Sequence, residues 1–275
     1  MREIIVLCAF AGFPLVFFAQ SYRSPVSDPA LGSGAYSVNY QDAFVFAANP
    51  AALGLSTEQG GTSAGIAARR RFMLTELNQI NAVAAFRRRN AGLSVLLNYA
   101  GFSEFNESSA GIGFGRNLGK LSLGMQLNYH RLVATGYDSY GTISADLSLL
   151  WQLTEKLRSG IQVINALPRN FGPLKDEKYS SIYKMGIGYE ASKSCYLSAE
   201  ILKETEKDVN VFLSVHYQFA SEFFGRIGLN TDVGSPFFAA GWQKRKLRIL
   251  VTGSYHAQLG FSPGLMISFE NPKKD

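Results

Sequence analysis

Cysteine is nearly missing from this sequence: Cys8 and Cys195 are the two among 275 residues. Long apolar runs are as scarce. One exists, Ile4 to Phe18 within "MREIIVLCAFAGFPLVFFAQ", and Pro14 breaks it. It is shorter than the ~20 residues a membrane-crossing helix needs. Its charged start (Arg2, Glu3) and its end at Ala19-Gln20 give residues 1–20 the layout of a secretory signal peptide, with cleavage beside Ala19. After cleavage only Cys195 remains, so an exported chain must hold itself together without an intramolecular disulfide. With no second apolar window, spanning by helices is excluded.

Charge is also sparse, at 17% of residues, and the formal net charge is +6. Removing one Arg and one Glu with the leader leaves that balance unchanged. The cations are dispersed or grouped in short segments, Arg69 to Arg71, Arg87 to Arg89 and Lys244 to Lys246. They form no stripe suited to nucleic acid, and at most attract anionic lipid headgroups. Three histidines, His130, His216 and His256, stand on separate segments with no carboxylate at ligand spacing, so neither a metal site nor a cofactor is expected. No G-x-S-x-G occurs, and "GIGFGRNLG" (Gly111 to Gly119) misses the dinucleotide spacing. An enzyme is not expected.

What is present is alternation. "LSLGMQLNY" puts Leu121, Leu123, Met125, Leu127 and Tyr129 on one face and Ser122, Gly124, Gln126 and Asn128 on the other. "VNVFLSVHYQF" and "LRILVTGSYH" repeat the pattern, which is the signature of strands. Runs of this kind predict strands at 60–70, 77–87, 91–101, 106–116, 121–133, 140–153, 156–166, 180–190, 194–204, 208–219, 222–230, 235–243, 246–256 and 260–270. Each is about eleven residues, the length a tilted strand needs to cross a bilayer, and longer than the five or six usual in globular sheets. Aromatic residues fall near the strand ends (Tyr99, Tyr129, Trp151, Tyr189, Tyr217, Phe219, Tyr255, Phe269).

Alternate connections are tight, such as Arg88 to Asn90 and Asn117 to Lys120, whereas the others are generally longer, Leu167 to Tyr179 most of all. The fold expected is all-β: a fourteen-stranded antiparallel transmembrane barrel at 59–271, with short turns periplasmic. An even strand count then places both termini in the periplasm of a bacterial outer membrane, with 272–275 as a polar tail.

Fourteen strands enclose more room than their own side chains fill. Residues 21–58 are the candidate filling, a luminal plug segment whose motif is Asp42, Asn49, Pro50 and Ala51. Pro50 restricts Asn49 to extended geometry, and Ala51 to Leu53 can begin a short helix. The inward glycines Gly111, Gly113 and Gly115 leave space for a segment to pack. Asp146, Lys184, Glu200 and Arg226 are expected on the inner face. They suit either a polar solute path or, as the preferred reading, a charge network bracing wall and plug.

"GAYSVNYQDAFVFAANPAAL" resembles the N-terminal signature of FadL-like outer-membrane barrels, especially their PorV/PorQ-like branch in Bacteroidetes. "RFMLTELNQINAVAAF" and "SYHAQLGFSPGLMISF" extend the resemblance along the chain. It implies one of two activities. FadL moves fatty acids and other hydrophobic compounds past an N-terminal luminal plug. PorV-like members act with the type IX secretion machinery. The short outer loops depart from the transporter pattern. The function expected is therefore a non-enzymatic accessory or scaffold subunit of an envelope complex, with another envelope protein or barrel and outer-membrane lipid or lipopolysaccharide as partners. The alternative is passive transport of hydrophobic molecules, which would be the ligand.

Overall fold

The computed structural model describes residues 28–55, 60–136, 139–167, 180–205, 207–231 and 234–272. The expected signal peptide, the beginning of the luminal segment at 21–27, residues 273–275 of the tail and most of the Leu167 to Tyr179 connection lie outside them.

Fourteen antiparallel strands close into a barrel, each bonded to its sequence neighbour and β1 bonded to β14. They are β1 (Gly61–Arg70), β2 (Asn78–Arg88), β3 (Ala91–Gly101), β4 (Phe105–Leu118), β5 (Leu121–Ala134), β6 (Tyr140–Gln152) and β7 (Leu157–Ile164). The second half holds β8 (Ile182–Glu190), β9 (Cys195–Glu204), β10 (Val209–Gln218), β11 (Phe223–Asn230), β12 (Ser235–Lys244), β13 (Leu247–His256) and β14 (Gly260–Pro272). Closure runs from Gly61↔Pro272 to Arg69↔Gly264. One end of the barrel, here the turn end, holds the tight connections such as 89–90, 119–120 and 245–246. The opposite, loop end holds 71–77 and the connection between β7 and β8.

The period-two pattern sorts the side chains as lipid and lumen require. On β5, Leu123, Met125, Leu127 and Tyr129 are exposed outside while Ser122, Gln126, Asn128 and His130 are buried inside. All eight aromatic residues placed near strand ends face outward. An outer wall so rich in exposed Leu, Ile, Val and Phe is too apolar for a water-facing surface and fits a bilayer. Among the described residues no helix is long and apolar enough to cross a membrane; the strands do the crossing.

Strand limits depart from the alternation by up to two residues at an end: β4 is longer than expected and β7 and β8 are shorter. Asn165 adopts a left-handed backbone (φ 53°), which asparagine tolerates better than most residues. Its N–H turns to the Asp146 carboxylate at 2.9 Å, so β7 stops at Ile164. At the other end of the chain β14 runs on to Pro272.

Depth dependence follows from this wall. Ile112→Arg, near the middle of β4 and facing out, is expected to destabilise the barrel by about 2–4 kcal/mol, and Thr62→Arg near the turn end by about 0–1 kcal/mol. Equilibrium unfolding in lipid vesicles measures both.

Candidate functional site

The luminal segment enters the turn half of the barrel as two short helices and two 3-10 turns: α1 (Pro29–Gly32), the turn Ser33–Tyr36, α2 (Ala43–Ala48) and the turn Pro50–Gly54. A run this short is marginal as an isolated helix, so capping and packing against the wall must hold it.

Asp42 supplies both. One carboxylate oxygen, Oδ1, accepts the Phe44 and Val45 N–H groups at 2.9 and 3.0 Å and caps α2. The other, Oδ2, accepts from Arg248 Nη1 on β13 at 3.0 Å, and both side chains are buried. Gln243 accepts two further bonds from Arg248, which fixes the guanidinium beneath the cap. Next to it the Arg87 guanidinium lies 4.5 Å from the Phe46 ring centroid and donates to Gln41.

The backbone of Asn49 is extended, as the residue before a proline must be, and this separates the two helical pieces. Its N–H closes α2 on the Val45 carbonyl at 2.9 Å, while its side-chain oxygen caps the next turn through the Ala51 N–H at 3.0 Å. Pro50 stands at the first position of that turn, where no N–H is needed. Ala51 is then held from the wall: its N–H reaches Ser148 Oγ at 2.9 Å and its carbonyl accepts from Ser122 Oγ at 2.6 Å. Two wall glycines make the approach feasible. A Cβ at Gly124 would lie 2.1 Å from Ala51 N, and one at Gly115 would lie 2.4 Å from the Pro50 carbonyl oxygen. The inward glycine face on β4 is thus partly a seat for this turn, since Gly111 instead meets Asn128.

The remaining anchors come from around the circumference. Asp28 caps α1 through Ala30 N–H and accepts from Thr252 at 2.6 Å. Arg226 donates to the Ala30 carbonyl at 2.6 Å and to His216 Nδ1 at 3.0 Å, and His216 stacks on Phe224 and meets the tilted Tyr40 ring. Glu190 gathers Ser37 Oγ and the Val38 and Asn39 N–H groups, and Arg158 donates to the Ser37 carbonyl. Tyr36 donates to Glu200 at 2.6 Å.

Of the four inward charges read from the sequence, Lys184 and Glu200 pair at 3.5 Å. Glu200 reaches the segment through Tyr36, and Arg226 reaches it through Ala30. Asp146 stands apart: fully buried, it accepts from Asn128 Nδ2 and the Asn165 N–H, within the wall's own polar ladder. They lie on one inner surface without forming one ion network. Sequence reasoning did not single out Arg248, Glu190, Arg158, Asp28 or Tyr36. Strand parity marks Arg248 and Glu190 as inward, but nothing local names partners that lie 206 and 153 positions away.

Burial, and then the neighbouring Glu200 carboxylate, push the Tyr36 phenol well above its ordinary pKa. Because the folded state keeps this proton longer than the unfolded chain, the contribution is present below about pH 10 and lost as the pH rises beyond it. Thermal melts in detergent across alkaline pH are expected to fall less steeply for Tyr36→Phe than for the native chain. Asp42→Ala removes the α2 cap and the nearer of the two carboxylates beside buried Arg248, leaving Glu270 at 3.7 Å, and is expected to cost about 2–3 kcal/mol. Asn49→Ala removes one cap and costs about 1 kcal/mol. Limited proteolysis of the segment in the intact barrel ranks the two.

No protein-family model and no curated protein matches the sequence. Solved structures do match. The Pseudomonas putida toluene transporter TodX aligns with a TM-score of 0.64 at 11% identity, over 86% of this chain and 94% of that one. The Ralstonia pickettii toluene transporter TbuX aligns at 0.60 and 11%, over 88% and 97%. A Pseudomonas aeruginosa FadL homologue aligns at 0.58 and 8%, over 90% and 98%. Identities this low speak for the fold, and the chain has the fold of these FadL-type transporter barrels.

Proposed function

We propose that the protein sits in the outer membrane with its turn end toward the periplasm and passes small hydrophobic molecules along its lumen, the N-terminal segment acting as the stopper. One observation carries this reading. Leu31, Ala43, Phe44 and Ala47 of the segment pack into an apolar band made by Ala67, Val83, Leu96, Phe224, Phe237, Ala239, Leu250 and Met266. That band belongs to β1–β3 and β11–β14. The facing sector, from β4 to β9, carries Gln126, Asn128, Ser144, Asp146 and Gln162. The strands of the band also carry the inward Gln79, Asn81, Arg226, Arg248 and Thr252, so it is an apolar patch set among polar anchors. That patch offers an apolar solute a lane when the segment yields, because the solute replaces the segment's own side chains. The fold supports the same reading, since solved barrels of this shape include a toluene transporter and a monoaromatic hydrocarbon channel. No chemical step belongs to this reading.

A second reading, the scaffold subunit, keeps one observation of its own. The loop-end connections at 102–104, 231–234 and 257–259 are short and build no walls for an external capture groove. The PorV/PorQ-like signature points the same way. An envelope protein that co-purifies in mild detergent would support it.

Uptake of a labelled monoaromatic hydrocarbon or fatty acid by a Gram-negative host lacking its own such barrel tests the transport reading. Expression is expected to raise uptake several-fold, and Asp42→Ala to raise it further by loosening the stopper. Uptake equal to that of the empty vector, in cells where the folded barrel is present, would sink the proposal.

A further inference from the structure

The rim at the turn end is cationic nearly all the way round. Five of the six tight connections present an exposed Lys or Arg: Arg89, Lys120, Lys156, Lys193, and the pair Arg245 and Lys246. Facing outward with them among the described residues are the acids Glu155 and Glu222, and Glu222 already lies 3.5 Å from Lys244. The loop end is more mixed: among the described residues Arg70, Arg71, Arg131, Lys203 and Lys207 are interspersed with Glu76, Glu104 and Asp208, and Lys207 pairs with Glu204. A protein partner would face one side of the barrel, whereas cations spread around the circumference face whatever surrounds it. Just above them the wall exposes Trp151, Tyr189, Tyr217, Phe219 and Phe269, side chains that belong at headgroup level.

Two of these cations are held at a conformational cost. Arg89 and Arg245 each occupy the first position of a two-residue turn with left-handed φ, 48° and 54°. Glycine relieves that geometry, and Gly119 occupies the corresponding place between β4 and β5 with φ 87°. A bulky residue kept where glycine fits better points to a demand other than folding.

We propose that the turn-end rim is a binding collar for anionic glycerophospholipid headgroups, with Arg89, Arg245 and Lys246 among its phosphate contacts. Charge complementarity of this kind holds a lipid annulus on one leaflet and sets the depth of the barrel.

The whole chain in phosphatidylcholine vesicles, probed with spin-labelled phosphatidylglycerol against spin-labelled phosphatidylcholine, tests the proposal. The native protein is expected to prefer the anionic lipid, with a preference that weakens in high salt. R89G combined with R245G is expected to lower that preference roughly tenfold while melting at the same temperature as the native barrel or higher. R89K with R245K keeps the preference. An equal affinity for both lipids in the native protein, or an unchanged preference in the glycine variant, would overturn the proposal. A glycine variant less stable than the native chain would overturn it too, because the arginines would then be holding the fold.

Discussion

Everything in this molecule descends from the requirement that backbone hydrogen bonds be satisfied where no water can supply them. Fourteen strands in lipid have no acceptable free edge, and the ladder from Gly61↔Pro272 to Arg69↔Gly264 removes the last one. Closure on that scale creates a second problem, since the wall's inward side chains do not meet across the space. The N-terminal segment answers it, and its short helices and turns carry their own unsatisfied backbone groups into the lumen. Each of those groups must find a partner there.

The partners serve two duties at once. Asp42 caps α2 with one oxygen and binds Arg248 with the other. Asp28 caps α1 and accepts from Thr252. Glu190 and Arg226 reverse the direction, with wall side chains reaching into the segment's backbone. A segment attached by hydrogen bonds and, among the described residues, by the Asp42–Arg248 ion pair differs from one sealed by hydrophobic packing alone. Its polar anchors are directional and local, so loosening one frees a defined piece. The apolar contacts of Phe44 and Leu31 with Phe224, Leu250 and Met266 supply the seal between those anchors.

The two faces of the barrel wall thereby do separate work. Outside, the apolar belt and its aromatic margins answer to lipid, and the basic rim lies below them, where the proposed headgroup contacts would form. Inside, an apolar patch on β1–β3 and β11–β14 is set among polar anchors such as Arg226, Arg248 and Thr252, while Gln126, Asn128, Ser144, Asp146 and Gln162 lie on β5 to β7. That patch is the observation on which the proposed hydrophobic passage rests.

Alternation along each strand was enough to count the wall and to assign its faces, because lipid on one side and a lumen on the other impose a strict period of two. The same parity placed Asp146, Lys184, Glu200 and Arg226 inward. Proline chemistry located the break at Asn49-Pro50, since φ at Pro50 and the extended backbone before it are set by covalent structure. The early end of β7 was less legible, because it depends on a bond from Asn165 to Asp146 on the neighbouring strand. Which charge meets which was decided only by the closed barrel. Arg248 lies 206 positions from Asp42 and Glu200 lies 164 from Tyr36. Pairings over such separations follow from strand register and from where the segment comes to rest, and no local pattern encodes either.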